Sequence, residues 1–170
     1  MNTFKKIGLV LLTLIIAGFV YYYFPEKKLP ANAKITRIVI NKSKREMMVF
    51  NGTDLLNTYT IALGKSPIGD KQKQGDNKTP EGHYNISRKY GLGVCGYHKG
   101  LYINYPTPAQ ITQGKTGGDI LIHGQDPKYS FTGKFHRWKD WTAGCIAVTD
   151  EEIDDIYDRV IIGCPVTINP

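Results

Sequence analysis

The chain is expected to fold as a mainly β domain with one flanking helix, an α+β arrangement, behind an N-terminal membrane-anchor helix. Three observations predict this. Short apolar runs alternate with turn residues, and 18 Gly and 9 Pro punctuate the 170 residues. Helical periodicity is clear in only one stretch, after Thr149. Residues 7–24 carry no charge at all. The length suits one domain plus an appendage. The expected division is an anchor over 1–24, a linker over 25–33 and a single domain over 34–170.

The anchor comes first. Lys5-Lys6 precede Ile7 to Phe24, 18 uncharged residues that as a helix would reach about 27 Å, the thickness of a bilayer core. Tyr21, Tyr22 and Tyr23 end it where amphipathic rings favour the membrane interface. A cleaved signal peptide is the rival reading, but Tyr-Tyr-Tyr-Phe-Pro lacks the small residues of a cleavage site. With Lys5-Lys6 held in the cytoplasm, the domain would face outside the inner membrane.

Pro25 to Ala33 reads as the linker. Ile35 to Ile40 is a first strand, Glu46 to Phe50 a second, and Asn51-Gly52 a tight-turn signal leading to a third over Asn57 to Leu63. Lys65 to Pro80 is a long polar loop. Gly82 to Ser87 alternates as a strand, and Arg88 to Gly100 is a Gly-rich loop. Leu101 to Tyr105, Asp119 to His123 and Ile146 to Val148 are short strands, with an aromatic and basic connection over Ser130 to Trp141. Thr149 and Glu152 form a capping box. Ile153, Ile156, Tyr157, Val160 and Ile161 make one apolar stripe, and Gly163 is the expected C-cap.

The formal charge of +7 suits an anionic partner, but the lysines are scattered, so a solvated basic surface is expected and no nucleic acid. The four His and three Cys match no metal-ligand spacing, so neither a metal nor another cofactor is expected. An odd cysteine count leaves at least one thiol free; Cys95 and Cys164 are either bonded to each other or unpaired.

Cys145 follows Thr142-Ala143-Gly144 and precedes an apolar strand. A thiol with an ordinary pKa near 8.5 needs a base. His123 ends the run Ile120-Leu121-Ile122, a rigid place from which to project an imidazole. Gly124 is expected to leave room beside it for substrate and backbone approach. A backbone carbonyl is the expected orienter of the ring, with Asp126 and Asp140 weaker candidates. Backbone N–H groups around Gly144 are placed to meet a developing oxyanion. Thr142, Trp141, His98 and Arg137 are candidate substrate contacts. His136 or a lysine are alternatives to Arg137 as a carboxylate-binding charge.

His123-Gly124 followed by Asp140-Trp141-Thr142-Ala143-Gly144-Cys145-Ile146-Ala147-Val148 resembles the active-site signature of the YkuD-type L,D-transpeptidases. Leu63-Gly64 through Lys78-Thr79-Pro80-Glu81-Gly82-His83-Tyr84 resembles a second segment of that family, and the likeness runs from about Ile35 to Ile168. The resemblance implies a β-sandwich-like catalytic fold, with Cys145 as nucleophile and His123 as general base. The implied partner is the peptidoglycan stem peptide, cut at diaminopimelate with loss of D-alanine and joined through a thioester to a second stem's amine. Many members carry histidine where Ala143 stands and arginine where Ala147 stands. The branch with Trp-Thr-x-Gly-Cys-Ile-Ala includes diaminopimelate-directed hydrolases, so amine and water both stand as acceptors. A monomer is expected. The rivals are a non-catalytic wall-binding module, against which the intact Cys145 and His123 argue, and a basic membrane protein binding nucleic acid or lipid, supported by charge alone.

Overall fold

The computed structural model describes residues 3–170; Met1 and Asn2, the first two residues of the expected anchor, lie outside it. Helix α1 (Thr3–Tyr23) has 21 residues, a mean hydropathy of 1.9 and no buried position. At about 1.5 Å per residue it is about 31 Å long, enough to cross a bilayer.

From β1 (Arg37–Asn41) the chain turns through β2 (Glu46–Asn51) into β3 (Asp54–Thr60), an antiparallel meander whose first turn out of β2 uses Gly52 at φ +58°. Alternation sets the register: Ile38 and Ile40 of β1 and Met47 and Val49 of β2 are buried, while their neighbours are half-exposed. The remaining elements are β4 (Gly82–Tyr90), β5 (Gly100–Ile103), α2 (Pro108–Thr112), β6 (Leu121–His123), a 3-10 segment (Ser130–Trp138), β7 (Ile146–Ala147), α3 (Asp150–Arg159) and β8 (Pro165–Asn169). The eight strands form one mixed sheet in the order β3-β2-β1-β8-β4-β5-β6-β7. β8 lies in its middle, parallel to β1 and antiparallel to β4.

The sheet curls until its two edges meet. Ala62, just past β3, exchanges backbone hydrogen bonds with Ala147 of β7, at 3.0 and 2.8 Å, and Gly64 bridges Thr142. The expected β-rich α+β architecture is therefore present as a curled mixed sheet with helices. Ile153 and Ile156 of α3 complete the core, each contributing about 2 kcal/mol by burial.

Two sequence expectations change, and one open alternative is settled. The helix stops at Arg159, because Val160 turns extended and bridges Ile35, whose N–H donates to the Arg159 carbonyl. Ile161 is consequently exposed and Gly163 is not the cap. β8 and α2 were not expected, although α2 has its own capping box, Thr107 with Gln110, and a proline at its start. The three cysteines are all free, so Cys95 and Cys164 are not bonded.

One ion pair ties the two edges of the sheet. Arg45, held at φ +56°, donates from Nε and Nη2 to both carboxylate oxygens of Asp140 at 2.7–3.1 Å, and Asp140 Oδ1 also accepts from Leu63 N–H at 2.8 Å. Asp140→Ala leaves a half-buried guanidinium with only the Lys42 carbonyl as partner and the Leu63 N–H with none. It is expected to lower stability by about 2 kcal/mol in urea titration. An unchanged midpoint would mean that this pair does not hold the edges together.

Candidate active site

The site forms where the sheet closes. The parallel register sets Ile122 opposite Ile146 and His123 opposite Ala147. Cys145 precedes Ile146, so it shares a face with His123 one diagonal step away, roughly 7–8 Å between Cα atoms. The resulting cleft, of about 950 Å³, is lined by Cys145, Ala143, Leu121, Asp119, Tyr97 and Lys71, among others.

The turn that carries the thiol is built by Thr142 and Gly144. The buried Thr142 hydroxyl accepts from Gly144 N–H at 3.1 Å and donates to the Cys145 carbonyl at 2.8 Å. Thr142 therefore clamps the turn, its one hydroxyl proton is committed to the Cys145 carbonyl, and its side chain is buried away from substrate. Gly144 sits at φ +139°, and a Cβ there would lie 2.7 Å from the Lys78 carbonyl oxygen. Its N–H is engaged by Thr142. Among the described residues, the Cys145 N–H has no protein partner and is the free donor beside the sulfur.

The Cys145 thiol is buried. It donates to the Asp119 carbonyl at 3.4 Å and accepts from Leu121 N–H at 3.5 Å. Burial, partly offset by the Leu121 N–H, pushes its pKa up to about 11. His123 is fully buried. Burial lowers its pKa to about 4, partly opposed by its bond to the Gly124 carbonyl. The resting pair is therefore a neutral thiol and a neutral imidazole.

The expected backbone orienter is present: His123 Nδ1 meets the Gly124 carbonyl at 2.5 Å, and Nε2 is buried with no partner. Asp140 is occupied by Arg45, and Asp126 carries Lys128 N–H. The Tyr97 ring stacks on the imidazole at 3.6 Å between centroids and Trp141 meets its edge at 5.7 Å. Trp141 is half-buried, and its indole N–H points to His136 Nδ1 at 3.4 Å.

His98 and Arg137 are not brought to the cleft. His98 Nε2 pairs with Asp154 on α3 at 2.9 Å, and Arg137 is held between Glu26 and Glu152. Gly124 also differs from expectation. A Cβ there would meet Asp150 Oδ1 at 2.7 Å and Ile153 at 2.9 Å, so its smallness admits α3 and makes no room for substrate. The cleft's cation is Lys71, whose side chain is buried and paired with Asp76 at 2.7 Å. Sequence reasoning missed Lys71 and Tyr97. Each lies in a polar or Gly-rich loop with no periodicity, and only the flanking glycines mark a tight path there.

The two motif segments meet beneath the thiol. Gly64 N–H donates to the Thr79 hydroxyl at 3.1 Å, Lys65 N–H donates to the Thr142 carbonyl at 3.0 Å, and the Thr142 N–H donates back to Leu63 at 3.1 Å. Among the described residues no cluster of three or more His, Cys, Asp or Glu side chains could hold a metal ion.

The His123 environment has a measurable consequence. A group whose pKa falls from 6.5 in the unfolded chain to about 4 on folding makes the unfolded state bind more protons between those values. Its contribution is complete above pH 6.5 and is lost as pH falls toward 4, about 3 kcal/mol in all. His136, lowered to about 4 by burial, then by Arg137 and His123, adds in the same direction. Urea titrations from pH 7 to pH 4 are expected to show this loss, and His123→Gln to reduce the slope. A slope unchanged by the substitution would mean that His123 does not titrate in this window.

The profile of the YkuD family, described as the L,D-transpeptidase catalytic domain, matches residues 35–168. YafK of Escherichia coli strain K12, a protein named for the same activity, is 31% identical over 106 residues, which are 62% of this chain and 37% of YafK. Among solved structures, the helical cell shape determining protein Pgp2 of Campylobacter jejuni is similar with a TM-score of 0.64 and 25% identity, over 83% of this chain and 50% of Pgp2. Bd1075 of Bdellovibrio bacteriovorus shares the fold, with a TM-score of 0.59 and 22% identity over 83% of this chain and 51% of that one. The chain thus spans about half or less of the length of these relatives. With four-fifths of its residues inside the matched region, carrying both motif segments, the chain belongs to the YkuD family of L,D-transpeptidase catalytic domains.

Proposed function

We propose that the protein is a cysteine acyl-transfer enzyme acting on peptidoglycan stem peptides outside the cytoplasm, held to the inner membrane by α1. The observation that carries this reading is the placement of Cys145 and His123 on one face of two adjacent parallel strands, with Cys145 lining an open cleft and His123 buried behind it. In the first step Sγ attacks the carbonyl of the L,D bond at diaminopimelate, and the thiol proton passes to His123 Nε2. The Cys145 N–H donates to the developing oxyanion, where a fixed donor is worth about 3 kcal/mol. The C–N bond breaks, the imidazolium returns its proton to the departing D-alanine amine, and a thioester remains on Cys145. The amine of a second stem then attacks the thioester, loses a proton to His123 and restores the thiol, leaving a cross-link between two diaminopimelate residues. Lys71 is the cation in the cleft lining, and a substrate carboxylate would have to compete with Asp76 for it. The likeness to Pgp2 supports a role in cell shape.

A second reading, hydrolysis, has one observation in its favour. Ala143 lines the cleft with a bare methyl and Ala147 is buried against Ala62, so neither offers a group to hold an incoming amine. The full chain in detergent, incubated with disaccharide-tetrapeptide and read by mass, separates the two. A dimer joined through diaminopimelate supports transpeptidation, and disaccharide-tripeptide without dimer supports water as acceptor. If the substrate remains intact, the acyl-transfer reading fails.

A further inference from the structure

The 3-10 segment Ser130–Trp138 is joined to the end of α1 by more than chance contact. Phe135 stacks against Tyr22 at 5.9 Å and lies 5.6 Å from Tyr21, and Trp138 lies 6.2 Å from Tyr21. Tyr22 donates its hydroxyl to the Phe131 carbonyl at 3.0 Å. Gly133, at φ +48°, admits the Tyr22 ring, whose nearest carbon lies 2.7 Å from where a Cβ would be. Just past the helix, Glu26 pairs with Arg137 at 2.9 Å and with Lys134 at 3.3 Å, and Lys134 also bonds the Phe24 carbonyl. These bonds fix the segment at the level where the apolar helix ends.

The outer side of the same segment is uncovered. Phe131 is 75% and Trp138 74% exposed, next to Tyr23 and Phe24 at 65% and 67%. Large rings left in water cost free energy, and such a patch marks an interaction surface. An aromatic belt at the end of a membrane-spanning helix has one chemical match, the interfacial layer of a bilayer, where Trp and Tyr are favoured. Exposed Lys128 and Lys139 flank the patch, where cationic side chains attract anionic headgroups.

We propose that Phe131 and Trp138 form a second membrane contact, inserting into the headgroup layer of the bilayer that α1 spans. This rests on reading α1 as a retained anchor. The linker is itself docked on the domain, with Leu29 buried in the core and its N–H bonded to Asp155 at 2.7 Å. With both contacts made, the domain is held against the membrane at one orientation. The segment runs on through Trp141 to Cys145, so the cleft is set at a fixed height above the bilayer. Wall strands within reach of that height are then the substrate.

The test uses the full chain reconstituted into vesicles of phosphatidylcholine and phosphatidylglycerol, with and without lipids brominated near the headgroup. The chain has two tryptophans, and Trp141 is half-buried beside His123. Shallow bromines are expected to quench the wild type, and Trp138→Phe, a conservative change at an exposed position, to lose that quenching. If the wild type and Trp138→Phe are quenched equally, or neither is quenched in protein that floats with the vesicles, the second contact is overturned and the patch becomes a surface for another protein. Protein that does not float overturns the anchor reading, and with it this proposal. That outcome leaves the acyl-transfer reading, which was tested in detergent, untouched.

Discussion

Cys145→Ala is expected to lower D-alanine release from a tetrapeptide stem by at least about 10⁴-fold, because removing a nucleophile removes the covalent route. The fold is expected to survive. The sulfur makes two long hydrogen bonds, to Asp119 and Leu121, and the β-carbon that alanine keeps supports the same turn. The loss of stability is about 1 kcal/mol, so inactivity and unfolding are readily told apart by circular dichroism on the same sample. Cys145→Ser is also expected to be nearly inactive, since a hydroxyl is a far weaker nucleophile beside a neutral imidazole. Trapping substrate on the wild type should add the mass of the acyl group to the peptide containing Cys145. If Cys145→Ala retains turnover within about tenfold of the wild type, the residue plays no covalent part.

The resting chemistry adds a condition to that result. Thiol and imidazole are both neutral and both buried, and the Tyr97 ring covers the imidazole. A thiolate formed in advance would be poorly solvated here. In the proposed reaction the proton would therefore leave the sulfur as the new C–S bond forms, when charge moves onto the oxyanion and its donor. The acid limb of the activity profile is then set by His123 near pH 4, well below the value of a free histidine.

The sequence was most readable where physics is local. Short apolar runs located β1 and β2, Asn51-Gly52 marked the hairpin, and Thr149 with Glu152 marked the start of α3. Its failures are cases of tertiary structure overriding local preference. Ile161 continues a helical stripe, yet pairing with Ile35 ends the helix two residues earlier. β8 begins with a proline and is five residues long, but it is central because β1 and β4 each lack a second partner without it. Within the candidate site, Cys145 and His123 could be named from their strand positions. The parts supplied by other loops, Tyr97 over the ring and Lys71 in the cleft, had no periodic signal. Arg137 looked available for substrate because its partners, Glu26 and Glu152, are far away in sequence.

Gly64 shows what the second motif segment does. Three backbones cross beneath the thiol with no side chain between them. A Cβ on Gly64 would lie 2.2 Å from the Asn77 carbonyl oxygen, 3.0 Å from its carbon and 3.1 Å from Gly144 Cα. No rotamer relieves this, because all three contacts are backbone. Gly64→Ala must push the 77–78 loop or the Thr142–Cys145 turn aside, and it is expected to cost about 3 kcal/mol. A Cβ on Gly144 would likewise lie 2.7 Å from the Lys78 carbonyl oxygen, so the turn is fitted as closely to the same loop and shifts with it. A displacement of the sulfur by about 1 Å is expected to lower turnover roughly 10²-fold in protein that is still folded. Gly91→Ala is the matched control, because nothing lies within 4 Å of its Cβ position. Equal stability and turnover in the two variants would mean that the close crossing of Gly64, Asn77 and Gly144 does not position Cys145. Loss in Gly64→Ala alone would assign the segment around Gly64 and Thr79 the task of holding the nucleophile's turn in place from below.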